Sequence, residues 1–259
     1  MLPYIHIIIP SYGMLAFLGG LVCMFFLFFQ IESFQIEFST YLKLIVASIF
    51  GCFLGSKLLY CIATIPNYNG DISVLGLLVF YLQSGYVFYG GLFGALIAIY
   101  FVKTFDYRLK KKNIYQFMTP IFPLFHAFGR IGCFLAGCCY GVKLNSPIVV
   151  LGLIQLNRLP TQLIESVFEI FLFGILYIMY RKRKSNLLTI YLSSYATFRF
   201  VLEFFRDDAD RGFWGWWSTS QWISIFILLY IIGKYLRNKH DERNHYTFTS
   251  YYDVNVNEK

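Results

Sequence analysis

Three charged residues at helical spacing lie near the end of one apolar stretch. Arg199, Glu203 and Arg206 stand at i, i+4 and i+7, so one face of a helix carries all three side chains. Charges inside a hydrophobic segment are costly and usually turn toward a cavity or toward each other. The pattern indicates either a structural ion pair that fixes helix packing or a site where arginine binds the phosphate of an anionic headgroup.

A second apolar stretch carries His126, Arg130, Cys133 and Gly137 at i, i+4, i+7 and i+11, again on one helical face. The rise of an α-helix places Arg130 at a membrane depth similar to that of Arg199. Two arginines at one level are hard to explain by helix packing alone. This coincidence favours an anion site.

Polar side chains also begin the following apolar stretch. Pro160 is suited to the start of a helix, and Thr161, Gln162 and Glu165 place hydrogen-bonding groups in its first turn. Ordinary helix capping is the simpler interpretation for Thr161. Gln162 and Glu165 remain candidates for substrate contacts.

A glycine-rich segment, Q-S-G-Y-V-F-Y-G-G-L-F-G at residues 83–94, contains Tyr86 and Tyr89. Gly90 and Gly94 indicate either close packing between two helices or backbone exposed to a bound headgroup.

Three of the six cysteines, Cys133, Cys138 and Cys139, form a C-x4-C-C pattern. This spacing does not match the paired C-x2-C motifs usual in zinc sites, and we interpret these residues as structural thiols rather than metal ligands. On an oxidising side of the membrane they could also form a disulfide of unspecified pairing. The other three cysteines lie in apolar stretches and are expected to pack as small hydrophobes.

The elements that position these residues are predicted to be membrane-spanning helices. The 259 residues are 58% hydrophobic, 21% aromatic and 14% charged, with a mean hydropathy of +0.57, whereas soluble domains average about 25% charged residues. This composition excludes a cytosolic enzyme, a nucleic-acid-binding module and a disordered scaffold. Seven stretches are long enough to span a bilayer, namely 11–29, 41–63, 73–102, 117–138, 162–180, 187–205 and 218–236.

The chain is predicted to form one all-α integral membrane domain over residues 1–236, followed by a polar cytoplasmic tail over residues 237–259. The third stretch exceeds the length of one helix, and its glycines predict a break or re-entrant piece near residues 83–91. The start of the chain lacks the basic region and the cleavage site of a signal peptide.

Basic clusters follow the third, fifth and seventh stretches, which predicts a cytoplasmic C-terminus and an N-terminus outside the cell. The net charge of +8 is then explained by membrane topology rather than by nucleic acid. Most of the unusual polar residues gather toward the outer side. Any chemistry is therefore expected to face outward.

These segments resemble, in chain order, the motifs of bacterial prolipoprotein diacylglyceryl transferases. H-A-F-G-R-I-G-C-F-L-A-G-C-C-Y-G (126–141) is similar to the signature helix of that family, whose usual form is close to G-R-x-G-N-F-x-N-x-E-x-x-G. The other similar segments are Y-G-M (12–14), Y-G-G-L-F-G (89–94) for the family's H-G-G-L-I-G, P-T-Q-L-I-E (160–165) for its P-S-Q-L-Y-E, and R-F-V-L-E-F-F-R (199–206) for its R-x-x-x-E-F-F-R. The resemblance covers most of the chain and marks a divergent, cysteine-rich member.

The resemblance implies transfer of a diacylglyceryl group from phosphatidylglycerol to the lipobox cysteine thiol of a prolipoprotein, with release of glycerol phosphate. The implied partners are phosphatidylglycerol, the signal-peptide and lipobox segment of a secreted prolipoprotein, and membrane lipids. No metal, soluble cofactor or nucleic acid is implied. The implied location is the bacterial inner (cytoplasmic) membrane, as a multi-pass protein with its active site toward the outer leaflet.

By this resemblance, Arg130 and Arg199 hold the phosphate and stabilise charge on the departing glycerol phosphate, while Glu203 orients an arginine or a substrate hydroxyl. The expected catalytic residues are Arg130, Arg199, Glu203, His126 and Tyr89. The expected substrate-binding residues are Tyr12, Gly90, Gly91, Gly141, Gln162, Glu165 and Arg206.

The sequence departs from the usual family pattern in the half of the site that would receive the acceptor. Tyr89 stands where the family usually has His, and tyrosine is a poorer base at neutral pH. Cys133 replaces the usual Asn, and the Cys138-Cys139 pair falls where Glu is expected. His126 is the alternative candidate for the missing imidazole.

Two other functions remain open. One is a relative that uses the same phospholipid donor with a different acceptor or with cysteine chemistry of its own. The other is a lipid-binding or transport membrane protein without turnover, against which the one-sided distribution of polar residues and the lack of visible inverted repeats argue.

Overall fold

The computed structural model describes residues 4–5, 9–64, 73, 76, 81, 85–110, 112–150, 154–207 and 213–256. The α-helices of this part are α1 (Ser11–Phe28), α2 (Phe38–Thr64), α3 (Phe88–Phe105), α4 (Ile114–Met118), α5 (Ile121–Ala136), α6 (Thr161–Arg181), α7 (Leu187–Leu202) and α8 (Thr219–Val256). Antiparallel strand pairs form between β1 (Tyr4–Ile5) and β2 (Ile9–Pro10), between β3 (Lys143–Val150) and β4 (Ile154–Arg158), and between β5 (Phe213–Trp214) and β6 (Trp217–Ser218).

Six helical segments of the described residues are long and apolar enough to cross a bilayer. They are Ser11–Phe28, Phe38–Thr64, Phe88–Phe105, Ile114–Ala136, Thr161–Arg181 and Thr219–Lys239. Large apolar side chains cover the outside of the helices, for example Phe17, Val46 and Phe171, each at least 65% exposed. Lipid and not water is the solvent that suits such a surface. The protein is therefore an all-α integral membrane protein, as its composition predicts.

The predicted stretch at 187–205 corresponds to α7 and the 3-10 turn Glu203–Phe205. With 16 residues, α7 is shorter than the ~20 residues of a typical span. The count of seven spans and their orientation therefore stay predictions.

The helix that replaces the predicted third stretch begins at Phe88, close to the predicted break. The rest of that stretch, apart from residues 73, 76, 81 and 85–87, lies outside the described residues. The predicted boundary between domain and tail, at residues 236 and 237, falls inside α8.

Glycines bring α2 and α3 into close contact. A Cβ atom added to Gly94 would collide with the carbonyl oxygen of Gly51, and one added to Gly90 would collide with that of Gly55. Of the two interpretations of this glycine-rich segment, close helix packing is therefore observed for Gly90 and Gly94.

Three other helix contacts build the interior around the polar residues. Helix α1 packs on α5, α5 on α6, and α7 on α8. A Cβ atom at Gly132 of α5 would lie 3.2 Å from the Cα atom of Tyr12. The glycine therefore lets the start of α1 approach the end of α5.

An ionic cluster connects the end of α3 to the start of α2. The Arg108 Nε and Nη2 atoms donate to the two carboxylate oxygens of Asp106 at 2.9 Å each, and Thr40 Oγ1 donates to Asp106 Oδ2 at 3.2 Å. Arg108 also pairs with Glu37. The Arg108 guanidinium and the Thr40 hydroxyl hold the pKa of the Asp106 carboxyl well below its usual range.

Candidate functional site

A buried carboxylate connects two arginines where α5, α6 and α7 meet. Glu165, in the first turns of α6, is only 1% exposed. Its Oε2 atom lies 2.8 Å from Arg130 Nη2 on α5 and 3.2 Å from Arg199 Nη1 on α7. The two arginines that the sequence places at a similar depth thus meet at one acidic group.

A second carboxylate extends this arrangement toward the end of α7. Glu203 Oε2 lies 2.8 Å from Arg199 Nη2 and 3.8 Å from Arg206 Nη1. Buried charges are tolerated when they pair with opposite charges and form hydrogen bonds. We call these five residues the charged cluster: Arg130, Glu165, Arg199, Glu203 and Arg206.

The charged cluster keeps donor capacity for an anion. Arg130 is 8% exposed, and its Nε atom has no hydrogen-bond partner among the described residues. A buried N–H group without an acceptor is unusual in a native protein, and this group is available to an anionic acceptor. A phosphate oxygen is a suitable acceptor because charge-assisted contacts to guanidinium groups are strong in surroundings poor in water.

His126 is enclosed beside the charged cluster. Its Nδ1 atom lies 2.9 Å from Glu169 Oε1, and its Nε2 atom lies 3.6 Å from Glu165 Oε1. The ring stacks on Phe88 with 3.4 Å between centroids, and Tyr195 donates a 3.0 Å hydrogen bond to Glu165 Oε1. The imidazole is therefore fixed between two carboxylates, next to the group that bridges the arginines.

Tyr89 is connected to the charged cluster through two serines of α8. Its hydroxyl shares a 2.7 Å hydrogen bond with the Ser224 hydroxyl, which itself donates to the carbonyl oxygen of Ser220 at 2.8 Å. Arg199 Nη2 donates to Ser220 Oγ at 3.4 Å. Tyr89 is 2% exposed, so its hydroxyl belongs to the interior of the protein.

The chain turns back on itself after α5 and brings three thiols together. Gly137 and Cys139 have φ angles of 77° and 61°, in the left-handed region that non-glycine residues rarely adopt. As a result the Sγ atoms of Cys133, Cys138 and Cys139 all lie within 4.8 Å of one another. We call these three residues the thiol cluster.

The first turn of α6 holds this loop in place. Thr161 Oγ1 donates to the carbonyl oxygen of Cys139 at 3.0 Å, and Gln162 Nε2 donates to that of Cys138. Arg130 Nη1 lies 3.9 Å from Cys133 Sγ, so the thiol cluster adjoins the charged cluster. Thiol hydrogen bonds from Cys133 and Cys138, followed by the nearby charge of Arg130, lower the pKa of the Cys139 thiol below its ordinary value.

Comparison with known proteins shows the family of this chain. Residues 2–236 match the model of the prolipoprotein diacylglyceryl transferase family. The chain belongs to that family. A phosphatidylglycerol–prolipoprotein diacylglyceryl transferase of Clostridium tetani is 35% identical over 206 residues, which are 74% of this chain and 78% of that protein. Transferase 2 of the same description from Clostridium perfringens is 36% identical over 200 residues, 72% and 74% of the two chains.

A third relative matches a shorter part of the chain. The phosphatidylglycerol–prolipoprotein diacylglyceryl transferase of Acinetobacter baumannii is 34% identical over 157 residues, which are 56% of this chain and 57% of that protein. The resemblance drawn from the motifs is confirmed by these matches.

The structure brings most residues of the diacylglyceryl transferase motifs to one end of the helices. The arginine and glutamate residues of the motifs form the charged cluster, and Gln162 supports the adjoining loop. Tyr12 lies within electrostatic range of Cys133 and Arg130, because α1 approaches α5 at Gly132. Their roles toward substrate stay predictions.

The predicted substrate-binding glycines lie in tightly packed places. A Cβ atom at Gly91 would lie 2.9 Å from Cys52 Sγ, and Gly90 packs on α2. Gly141 forms a β-bridge with Arg206, and a Cβ atom there would lie 2.7 Å from the carbonyl oxygen of Phe205. Gly141 thus lets the loop after α5 reach the end of α7. Substrate contact by these glycines stays a prediction.

Sequence reasoning missed Glu169, Tyr195 and Ser224, which hold His126, Glu165 and Tyr89. Glu169 carried a usable signal, because an acid within an apolar stretch is a candidate for function and it follows Glu165 by one helical turn. Tyr195 and Ser224 carried no signal, since hydroxyl groups are common in such helices.

Proposed function

We propose that this protein transfers the diacylglyceryl group of phosphatidylglycerol to the thiol of a prolipoprotein cysteine and releases glycerol phosphate. The relatives from the two Clostridium species carry this reaction in their names. The observation that carries the proposal is the bridge that Glu165 makes between Arg130 and Arg199 in a buried site. Within the described part of the chain, the Arg130 Nε atom has no acceptor.

The charged cluster binds the phosphate of the donor lipid in this proposal. Glu165 and Glu203 hold the guanidinium groups of Arg130 and Arg199 in fixed directions before the lipid arrives. Preorganised donors stabilise charge that develops in the transition state without having to reorganise. The carbon–oxygen bond between the diacylglyceryl carbon and the phosphate breaks, and its electron pair leaves on the phosphate oxygen that the arginines face.

The acceptor sulfur forms the new bond to the same diacylglyceryl carbon, and its proton must leave. His126 and Tyr89 are the proposed candidates for this proton transfer. The contacts of His126 with Glu165 and Glu169 also support a positioning role, because the ring holds the carboxylate that bridges the arginines. Glu203 orients Arg199 and Arg206.

We place the site toward the outer leaflet of the bacterial inner membrane. The charged cluster lies at the start of α6, whereas the basic residues Arg181 to Lys184 follow the other end of this helix. Basic loops favour the cytoplasm, so the opposite end of α6 faces outward. Phosphatidylglycerol and the signal helix of the acceptor both reside in the bilayer and enter the site sideways between helices.

The proposal is tested with purified protein, phosphatidylglycerol labelled in its glycerol headgroup, and a lipobox peptide. The expected result is release of labelled glycerol phosphate together with a diacylglyceryl mass increase on the peptide cysteine. Both are lost in Arg130→Ala and retained in Arg181→Ala, an exposed arginine at the far end of α6.

Two results would contradict the proposed reaction. Headgroup release without peptide modification would point to another acceptor. Binding of the lipid without any release would indicate a lipid-binding protein without turnover.

A further inference from the structure

We propose that the thiol cluster binds a zinc ion through Cys133, Cys138 and Cys139, and that the fourth position on this ion receives the acceptor thiol. The metal site is inferred from the geometry of the cluster alone. Its role in catalysis rests on the proposed function. The sequence interpretation as structural thiols used only the spacing, whereas the structure shows where the three sulfur atoms lie.

The distances between the thiols suit a tetrahedral metal. Zinc–sulfur bonds are about 2.3 Å long, so neighbouring sulfur ligands are separated by about 3.8 Å. The three Sγ atoms lie within 4.8 Å of one another, and modest side-chain rotations would bring them to ligand spacing. Three protein ligands leave one position open, which is the arrangement of catalytic rather than structural zinc sites.

The loop that carries Cys138 and Cys139 has an unusual backbone conformation that neighbouring residues stabilise. Cys139 adopts a left-handed φ of 61° although it is not glycine. The hydrogen bonds from Thr161 and Gln162 to the cysteine carbonyl groups maintain this turn. Unfavourable backbone geometry that neighbouring residues maintain is common at functional sites.

A cationic group adjoins the thiol cluster. Arg130 Nη1 lies 3.9 Å from Cys133 Sγ. Three thiolates and one divalent zinc ion carry a single negative charge, which is compatible with a neighbouring guanidinium group. Thiolate ligands also select zinc or copper(I) over magnesium and calcium, and zinc has no redox chemistry of its own.

The cluster is open to the surroundings on one side. Cys138 is exposed, whereas Cys133 is buried. A cavity of about 240 Å³ is lined in part by Tyr140, which follows Cys139, and by Gln162, whose side chain donates to the carbonyl oxygen of Cys138. In this proposal the metal and the cysteine of an acceptor peptide reach the cluster from its exposed side, at Cys138.

Zinc would supply the thiol activation for which this chain lacks the usual histidine. A thiol that coordinates zinc is deprotonated at neutral pH. Its proton then passes to solvent, so the metal takes over the proton-transfer step for which His126 and Tyr89 are otherwise the candidates. The zinc-bound sulfur then attacks the diacylglyceryl carbon, the carbon–oxygen bond breaks, and the electron pair leaves with glycerol phosphate. The thioether formed is a weaker ligand than a thiolate, so the product can leave the metal.

The first experiment measures metal binding apart from activity. Protein purified under reducing conditions without a histidine tag is analysed for zinc, and the zinc-free protein is titrated with Co²⁺. The expected results are about one zinc per chain and a thiolate-to-cobalt charge-transfer band with the d–d intensity of a tetrahedral site. Bound zinc and the cobalt spectrum should both be lost in the variants Cys133→Ser, Cys138→Ser and Cys139→Ser. Both should be retained in the control variant Cys61→Ser, which replaces a buried thiol of α2.

The wild-type titration needs no variant, so misfolding of a mutant cannot obscure the result. Absence of both zinc and the cobalt band would overturn the metal site. A disulfide within the cluster, found in protein alkylated directly in isolated membranes, would overturn it as well.

The second experiment links the metal to the acceptor. A lipobox peptide should alter the charge-transfer band of the cobalt-loaded protein, and the same peptide with serine in place of cysteine should not. Removal of zinc should abolish peptide modification, and added Zn²⁺ should restore it. Full transfer by the zinc-free protein would overturn the inference and leave the proposed function standing. Zinc binding without peptide modification or headgroup release would overturn the acceptor role, together with the proposed function, and leave the metal site.

Discussion

His126 Nδ1 and Glu169 Oε1 lie 2.9 Å apart in the interior of the protein, in a contact between α5 and α6. Glu169 is fully buried, and the other nitrogen of the ring faces Glu165. A chain of side-chain contacts therefore connects Glu169 to Arg130 through His126 and Glu165. Each member contacts the next, so the position of Arg130, the proposed phosphate ligand, depends on a residue that need not touch substrate.

Glu169 is therefore expected to act as a positioning residue. Glu169→Gln keeps an oxygen that can accept from His126, whereas Glu169→Leu removes it and leaves a buried polar group without a partner, at a cost of about 1–3 kcal/mol. We expect Glu169→Leu to lower both thermal stability and kcat more than Glu169→Gln does. Equal transfer rates in both variants, measured with the labelled lipid, would contradict the positioning role.

Arg130→Lys is expected to be damaging although it keeps the charge. A lysine ammonium group cannot reproduce the planar arrangement of donors that faces Glu165 and the substrate phosphate. Loss of a donor that stabilises developing charge lowers kcat by about a hundredfold or more. The matched control is Arg181→Lys, which should transfer at the wild-type rate, and a similar loss in both variants would point to a general effect on folding.

His126→Ala is expected to lose more activity than Tyr89→Phe. Removal of the imidazole disturbs both Glu165 and Glu169. Removal of the Tyr89 hydroxyl breaks one hydrogen bond to Ser224, worth about 0.5–1.5 kcal/mol of stability. Single-turnover transfer rates of the two variants give the comparison, and equal activity would count against His126.

The ionic cluster around Asp106 predicts a specific pH dependence of stability. Because the folded protein holds the pKa of Asp106 below its unfolded value, its stabilising effect is complete above the unfolded pKa of about 3.9 and is lost as the pH falls toward the folded value. The difference in unfolding temperature between wild type and Asp106→Asn should therefore be constant at neutral pH and shrink below about pH 4. Glu32→Gln, an exposed acid, is the control and should show little difference at any pH.

Close packing of α2 and α3 makes Gly94 sensitive to a single methyl group. Gly94→Ala is expected to lower the unfolding temperature, because the new Cβ atom collides with the backbone of Gly51. Among the described residues, and apart from the backbone of α6 itself, no atom lies within 4 Å of a Cβ added to Gly174. Gly174→Ala should leave the stability unchanged or raise it slightly through helix propensity. Equal effects of the two substitutions would argue against the packing observed here.

Apolar length and motif order were sufficient to predict an integral membrane protein built from helices, the family and the convergence of Arg130 with Arg199, but not the bounds of the third helix. These features depend on local composition and on helical periodicity. The bridge that Glu165 makes between the two arginines was not predicted. Glu165 was identified as a site residue, but its neighbours in space depend on how α5, α6 and α7 pack.

The thiol cluster shows the main limit of the sequence reasoning. Known zinc spacings did not match, so the three cysteines were interpreted as structural. Their proximity depends on the left-handed conformation of Gly137 and Cys139 and on support from α6. Neither condition can be inferred from the spacing of the cysteines.

The charged cluster has a consequence for the biogenesis of this protein. An arginine or an aspartate at the centre of an isolated helix opposes insertion by about 2.5–3.5 kcal/mol, and a charge nearer the helix end opposes it less. Arg130, Glu165 and Arg199 are carried by three consecutive helices of the described residues and neutralise one another only after assembly. We therefore expect α5, α6 and α7 to leave the translocon together and not singly. A nascent chain that ends before α7 keeps the contact between Arg130 and Glu165 but lacks Arg199, and it is expected to be more sensitive to membrane proteolysis than the full chain.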